Sequence, residues 1–495
     1  MKIRSLYVII FCALISSQVK AQSSYEEFRN RVQNNYNKFK EQRNKEYEEF
    51  RNRMNAEYAA LIKDSWERMN ALKGIPKPKE DKPVPPTIYP EEDKNKPIKD
   101  NPLPYDKVIP VVKPKPSPKP VVPIEEDSRP VEKYFYFTYI NTPLKVRLDN
   151  SQRFTMSGCN ENEMSLIWER LSEPEYNNVI NDCLRIREEH KLCDWAYLSM
   201  LDTMSKKFMQ GRTNEATMFM AYIYSQSGYK MRLANDGSRI YMLYASRHVI
   251  YNKSYWVLDN EIYFPYDCDC KSLKICAATF PDEQPLSMQI TSEQLLEMVS
   301  SPERTLKSRR YADVNAVVQT NENLIKFFNT YPTSGVEEDF GVRWAMYANT
   351  PLSEKAKSTL YPSLRRSIRG MNELDAVNRL LNFVQTAFVY EYDDKVWGHD
   401  RAFFADETLY YPYCDCEDRS ILFSRIVRDL LGLEVVLIYY PGHLATAVKF
   451  NQQVSGDYIQ MNGKRYVVCD PTFIGAPVGA TMTNMDNSKA KVILL

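Results

Sequence analysis

The sequence predicts an α+β protein in which a long helix and a proline-rich linker precede a body built twice over. Three observations carry that prediction. Aromatic and apolar residues recur every eleven positions from Tyr25 to Leu72, sixteen of the 29 prolines fall between residues 75 and 130, and two stretches beyond them repeat at offsets of 208 and 204. A chain of 495 residues is long enough for about three folded units at ~150 residues each. Lys and Arg number 65 against 64 Asp and Glu. This balance provides no general counterion-release term, so nucleic acid is not an expected partner. Hydrophobic residues at 43% and aromatics at 12% supply enough apolar material for sizeable cores. The longest apolar run is N-terminal and shorter than the ~20 residues a spanning helix needs, so no membrane span is expected.

At the N-terminus, Lys2 and Arg4 precede the apolar stretch Leu6 to Ile15, and Val19-Lys20-Ala21 then offers small residues for a cut. Residues 1–22 are expected to be a secretory signal peptide, which makes the protein exported, to the periplasm or the cell surface. The alternative, an uncleaved anchor, fits poorly with so short a stretch. Cys12 follows the bulky Phe11 and is not expected to be lipidated. Without Cys12 nine cysteines remain, an odd number that implies at least one free thiol. The pairing of Cys159, Cys183, Cys193, Cys268, Cys270, Cys276, Cys414 and Cys469 stays open, as does their being reduced and buried.

From Tyr25 one series runs Tyr25, Tyr36, Tyr47, Tyr58, Met69 and a second Phe28, Phe39, Phe50, Leu61, Leu72. Eleven residues over three turns is ~3.67 per turn, which suits a straight or weakly right-handed supercoiled helix. Residues 23–74 are therefore expected to form one amphipathic, coiled-coil-like helix ended by Gly74. Its stripe would face a partner helix in self-association; packing onto its own body is the alternative. Residues 75–130 should be an extended, semi-rigid tether, because proline fixes φ and removes backbone donors.

In the body, Tyr139-Ile-Asn-Thr-Pro-Leu144 recurs as Tyr347-Ala-Asn-Thr-Pro-Leu352, each after an aromatic run expected to be a strand. Arg212 to Leu233 lies over Cys416 to Leu437, both predicting a helix, a glycine stop at Gly228 or Gly432, and a strand. Later strands end at Asp267 and Asp470. The expected division is a first unit over 131–270, a strand-rich connector over 271–340 and a second unit over 341–495.

The chemistry gathers in the second unit. Apolar spacing predicts a helix from Asn372 towards Tyr390. A second helix follows Cys414-Asp-Cys416-Glu-Asp-Arg419 and runs through Ile421, Leu422, Ile426, Val427 and Leu430 to Gly432. Cys416 thus opens a helix, where unpaired N–H groups and the dipole favour thiolate, while Glu417 and Asp418 oppose it. His443 opens a strand after the Pro441-Gly442 turn, and the strand ending at Asp470 supplies a carboxylate to orient an imidazole. Nucleophile on a helix, base on one strand and orienter on the next is an arrangement suited to acyl transfer.

The order Cys414-Asp-Cys416-Glu-Asp-Arg, Pro-Gly-His443 and Asp470-Pro-Thr resembles the transglutaminase-like superfamily, and Asp406-Glu-Thr-Leu resembles its bacterial cysteine-peptidase branch. The resemblance covers about residues 372–480. It implies a papain/transglutaminase-like α+β domain in tandem, with Cys416 as nucleophile, His443 as general base and acid, and Asp470 as orienting carboxylate. It also implies hydrolysis of a peptide or side-chain amide through a thioester, with a protein or peptide as substrate. Where the family often has Gly two residues before the nucleophile, this chain has Cys414. The backbone N–H of Cys416 is one oxyanion donor, and Trp397 and Tyr413 are candidates for the second. In the first unit Arg212, Arg239 and Asp267 take the positions of Cys416, His443 and Asp470, so that copy is expected to be degenerate and non-catalytic. Acyl transfer to an amine, or a non-catalytic scaffold binding a peptide or cell-wall strand, are the alternatives. The single-residue spacing of Cys268-Asp-Cys270 and Cys414-Asp-Cys416 is too tight for a zinc site, so no metal is expected, nor any other cofactor. His190, His248 and His399 are assigned to surface or packing.

Overall fold

The computed structural model describes residues 2–79, 81–93, 96–127, 133–335 and 339–495, with side chains from residue 26 onward. The expected signal segment, residues 1–22, lies outside the described side chains; its backbone from Lys2 belongs to helix α1 (Lys2–Asp64). No helix among the described residues is long and apolar enough to cross a membrane.

α1 ends ten residues before the expected stop at Gly74. The Trp66 indole donates to the Ile62 carbonyl, and Ser65 N–H donates to Leu61 O at 3.0 Å. Strand β1 (Trp66–Asn70) follows and pairs antiparallel with Ser272–Cys276. The eleven-residue pattern continues through Met69 and Leu72, but sheet pairing satisfies that backbone and overrides the helical period. The stripe is also used differently along its length. Arg51, Met54, Asn55, Tyr58, Ala59 and Ile62, spaced by three and four, are buried against the chain's own body. Tyr58 packs on Trp168 with ring centroids 4.6 Å apart, and Asn55 Oδ1 accepts from both Trp168 Nε1 at 3.1 Å and Gln226 Nε2 at 3.0 Å. Phe28, Tyr36 and Phe39 remain exposed, at 54, 59 and 64%.

The proline-rich segment is not a free tether. Prolines lack the N–H needed inside a sheet, so the residues between them carry the pairing and the segment is confined to edges. Strands β2 (Asn101–Pro102) and β3 (Lys107–Ile109) form the two outer strands of a sheet built by the C-terminal residues. Ser117 Oγ further donates to Asp194 Oδ1 at 2.5 Å.

Two sheets organise the body, and their strands follow the same order. In the first, helix α2 (Thr213–Gln226) leads to β4 (Met231–Asn235), β5 (Ile240–Ala245), β6 (Trp256–Leu258), β7 (Glu261–Pro265) and β8 (Ser272–Cys276), arranged β1-β8-β4-β5-β7-β6. Further along, helix α3 (Glu373–Ala387) is capped by Asn372, whose side chain accepts from Asp375 N–H. Helix α4 (Cys416–Leu431) then leads to β9 (Glu434–Tyr440), β10 (His443–Lys449), β11 (Asp457–Met461), β12 (Lys464–Cys469) and β13 (Lys491–Leu494), arranged β2-β11-β12-β10-β9-β13-β3. The run β8-β4-β5-β7-β6 thus matches β13-β9-β10-β12-β11. Both helices stop at glycines in the left-handed region, Gly228 at φ 92° and Gly432 at φ 66°. The molecule is mixed α+β, as the sequence predicts.

The repeat at offset 208 does not mark equivalent elements. Tyr134–Tyr139 is a strand in a hairpin with Thr142–Arg147, whereas Val342–Asn349 is a helix. Val342 through Ala348 are all buried, a pattern of a core helix as much as of a strand, and Pro351 bars its continuation beyond Thr350. The connector over 271–340 holds short strands and also a helix, Glu322–Asn329.

Because Tyr58 is a core residue and Tyr36 is not, Tyr58→Ala should cost about 3 kcal/mol of unfolding free energy and Tyr36→Ala no more than about 0.5. Denaturant unfolding of both variants measures this; equal effects would contradict the division of the stripe.

Candidate active site

The described residues from Cys159 to Cys469 include nine cysteines, all with free thiols. Cys416 is the first residue of α4. Asp418, three residues into the helix, reaches back to its start: Asp418 Oδ2 accepts from Asp415 N–H at 3.2 Å. Asp418 Oδ1 also accepts from Phe403 N–H at 2.8 Å, so its role is to fix the helix start.

Cys416 and Ser420 lie four residues apart on one face of α4 and both meet the same strand. The Cys416 sulfur faces the Leu444 N–H, and Ser420 Oγ donates to Leu444 O at 2.7 Å. Leu444 follows His443. The two-residue turn Pro441-Gly442, with Gly442 at φ 77°, joins Tyr440 to His443 in register and sets the imidazole at the strand start. His443 Nε2 lies 2.8 Å from Asp470 Oδ2. Asp470 Oδ1 accepts from Thr472 N–H at 2.8 Å and Phe473 N–H at 3.2 Å, so the carboxylate is held as an acceptor and Nε2 carries the proton. Among the described residues the buried Nδ1 has no hydrogen-bond partner.

Of the three residues the sequence nominates, the structure joins His443 to Asp470 directly and sets the Cys416 sulfur against the amide that follows His443, with no hydrogen bond from that sulfur to the imidazole among the described residues. The pair His443–Asp470 is hydrogen-bonded, while the Cys416 sulfur sits against the neighbouring amide and 3.6 Å from Glu417 Oε2. Exposures of 2% for Cys416, 1% for His443 and 2% for Asp470 show a closed site. That closure reverses one expectation. Burial raises the Cys416 thiol well above its ordinary value, and the Asp415 and Glu417 charges add to the rise, outweighing the helix start and the Leu444 N–H.

Several positioning residues escape sequence reasoning. Buried Arg419 donates to the carbonyls of Gln385 at 3.2 Å and Phe388 at 3.0 Å, closing the end of α3. Gln385 in turn donates to Asp470 O at 3.0 Å and accepts from Gly475 N–H at 3.1 Å, fixing the loop that follows the carboxylate. Arg419 stands in a motif with charged neighbours and Gln385 on an apolar helix face; only that polar intrusion among Leu381, Phe383 and Val384 could have flagged it.

The proposed second oxyanion donors lie apart from the sulfur's contacts described above. Tyr413 is 42% exposed on a short strand paired with Val389. Trp397 is held edge-on to Phe403 and Tyr411, with the Arg401 guanidinium 4.6 Å from its ring. Carboxylate oxygens of Asp393, Asp400 and Glu417 come within 4.8 Å of one another, a spacing that could hold a cation. Cationic side chains already enter this group: Arg343 lies 3.5 Å from Asp400 and 4.0 Å from Glu417, and Lys77 pairs with Asp400.

In the first unit the sheet registers place Arg239 where the second has His443, and Asp267 where it has Asp470. Arg239 and Asp267 form an ion pair at 3.5 Å, joined by Lys206 at 3.0 Å. Arg212 precedes α2 and donates to Met209 O at 3.0 Å. A cationic anchor thus replaces both thiol and imidazole. Of the remaining histidines, His248 is buried and its pKa is depressed to about 3 by burial and then Arg247; His190 and His399 contact the carbonyls of Leu295 and Trp397.

No family model matches the chain, and no curated protein and no solved structure shows significant similarity to it.

Asp406 and Glu407 lie behind α4, both buried. Burial raises Asp406 to about 6, against hydrogen bonds from Ser353, and raises Glu407 to about 7, against the Arg401 charge. A carboxyl raised in the folded state stabilises most below its unfolded pKa, and the contribution is lost as pH rises through the folded value. Thermal stability should accordingly fall between pH 4.5 and 7.5. Asp406→Asn should remove on the order of 2 kcal/mol of that dependence, measured by melting curves across the range.

Proposed function

We propose that the chain is an exported thiol enzyme of the transglutaminase-like kind that hydrolyses a peptide or side-chain amide bond through Cys416, His443 and Asp470. The observation that carries this proposal is the buried His443 imidazole, held through Nε2 by Asp470 and left with an unpartnered Nδ1 one residue from the amide that meets the Cys416 sulfur. A bare buried acceptor is costly unless something uses it. The resemblance of the Cys416, His443 and Asp470 motifs to that superfamily and the N-terminal Lys2, Arg4 and Leu6–Ile15 pattern agree with it.

In this scheme His443 Nδ1 takes the Cys416 proton as the sulfur attacks the amide carbon, and Asp470 stabilises the imidazolium through Nε2–H. The carbonyl π pair moves onto oxygen, where the Cys416 N–H at the helix start faces the oxyanion. Collapse breaks the C–N bond, and the amine leaves with the proton from Nδ1. Water then gives a proton to Nδ1 and its oxygen to the thioester carbon, and the acid product departs as the sulfur is released. An amine in place of water would complete acyl transfer by the same groups.

Cys416→Ser and His443→Ala should each lower turnover of a responsive peptide or glutamine-side-chain amide at least about 10³-fold while the circular dichroism spectrum stays unchanged. Activity that survives Cys416→Ser would contradict the proposal and favour the scaffold alternative.

A further inference from the structure

The closed site raises the question of what stands in front of it. Residues 81–90, the first part of the proline-rich segment after residue 80, run past the Pro441-Gly442 turn that precedes His443 and the loop that follows Asp470. Tyr439 Oη donates to Asp81 Oδ2 at 3.1 Å, and Val84 N–H donates to Gly442 O at 2.8 Å. Gly442 immediately precedes His443, and the Lys82 carbonyl comes so near it that a Cβ there would collide. Beyond the carboxylate, Tyr89 N–H donates to Ile474 O at 2.9 Å and Ile474 N–H to Thr87 O at 2.8 Å, a parallel bridge through Ile88. Val84 and Tyr89 pack on Phe473, Ala476 and Met482, with the Tyr89 and Phe473 rings 5.3 Å apart. On the other side, Lys77 pairs with Asp400, whose carboxylate lies beside that of Glu417, the residue after the thiol.

These contacts have the form of a peptide held at a turn and a loop. Main-chain hydrogen bonds to Gly442 and Ile474 alternate with apolar side chains placed in one cluster, the combination by which a bound peptide gains affinity from its backbone and specificity from its side chains. The prolines keep the segment extended before it docks, so little further order has to be imposed. Its attachment at both ends, to α1 through β1 and to the second sheet through β2, keeps its effective concentration high.

We propose that the surface running from Tyr439 past Gly442 to Ile474 is the peptide-binding groove of the site, and that residues 81–90 occupy it as a tethered inhibitor. The proposal rests on the thiol-enzyme assignment above for its consequence, though not for its geometry. Substrate and strap would be mutually exclusive, and the substrate class would be an extended peptide that places an apolar side chain against Phe473 and Met482.

The test compares the full chain with the same chain carrying a Gly-Ser sequence of equal length in place of residues 81–90, each with and without His443→Ala. Iodoacetamide labelling of Cys416 is followed by peptide mass spectrometry at pH 7.5. Replacement should speed labelling at least tenfold, and a synthetic peptide of residues 81–90 at up to about 10 mM should slow it again. Equal rates in folded proteins, or no protection by the peptide, would overturn the proposal. If the replacement compromises folding, the milder pair Val84→Ser with Tyr89→Ala should give the same direction of change, and its absence would equally overturn it. Faster labelling that is indifferent to His443→Ala would leave the strap standing while sinking the thiol–imidazole assignment, so the two failures are separable.

Discussion

The hydrogen bond between His443 Nε2 and Asp470 ties the site to the second sheet, and most of the local architecture serves it. His443 begins one strand and Asp470 follows the end of its neighbour, so the bond forms only if β10 and β12 pair in their observed register, with Thr446 opposite Cys469. A slip of one residue would turn the imidazole to the other face. The two-residue turn at Gly442 holds one end of this arrangement. Gln385 and Arg419 hold the other, linking the Asp470 loop to the end of α3 and to the helix that starts at Cys416.

Burial and charge together keep Cys416 a thiol in the folded chain. Cys416 is surrounded by Asp415 and Glu417 in a dry setting, where negative charge on sulfur is disfavoured. The nearby cations, Arg343 and Lys77, are directed at Glu417 and Asp400. One of them belongs to the N-terminal segment. The same segment supplies β1, which covers one edge of the first sheet, and β2 and β3, which form both edges of the second. Residues that composition alone marks as a spacer thus complete the fold.

Elements with strong local signals were legible in the sequence. The helix at Cys416 with its left-handed Gly432 stop, the helix after Asn372 and the helix, glycine and strand repeated at offset 204 follow from periodicity and glycine placement, whereas the shared order of strands within the two sheets does not. Cys416, His443 and Asp470 stand out in the sequence because each sits at an element boundary, and the boundaries themselves are where the sequence puts them. Other features depend on contacts distant in sequence. Nothing local says that α1 stops at Asp64, since Met69 and Leu72 keep its period; the partner strand, some 200 residues away, decides it. Nor does a proline-rich composition reveal which few N–H groups will find partners. The strand expected before Tyr347 proved a helix because a run of seven buried residues carries no unambiguous period. The lowered thiol pKa expected at a helix start failed for the same reason: burial and neighbouring carboxylates are tertiary facts.

The central claim is that one buried imidazole is fixed with Nε2 protonated towards Asp470, which leaves Nδ1 as the free base. The most direct measurement is nitrogen-15 NMR of the histidine-labelled full chain, where only four histidines need assignment and His443→Ala removes one signal set. The account predicts a His443 ring protonated at Nε2 and unprotonated at Nδ1 at neutral pH, with Asp470→Asn disturbing that tautomer. A ring carrying its proton on Nδ1, or one indifferent to Asp470→Asn, would contradict it.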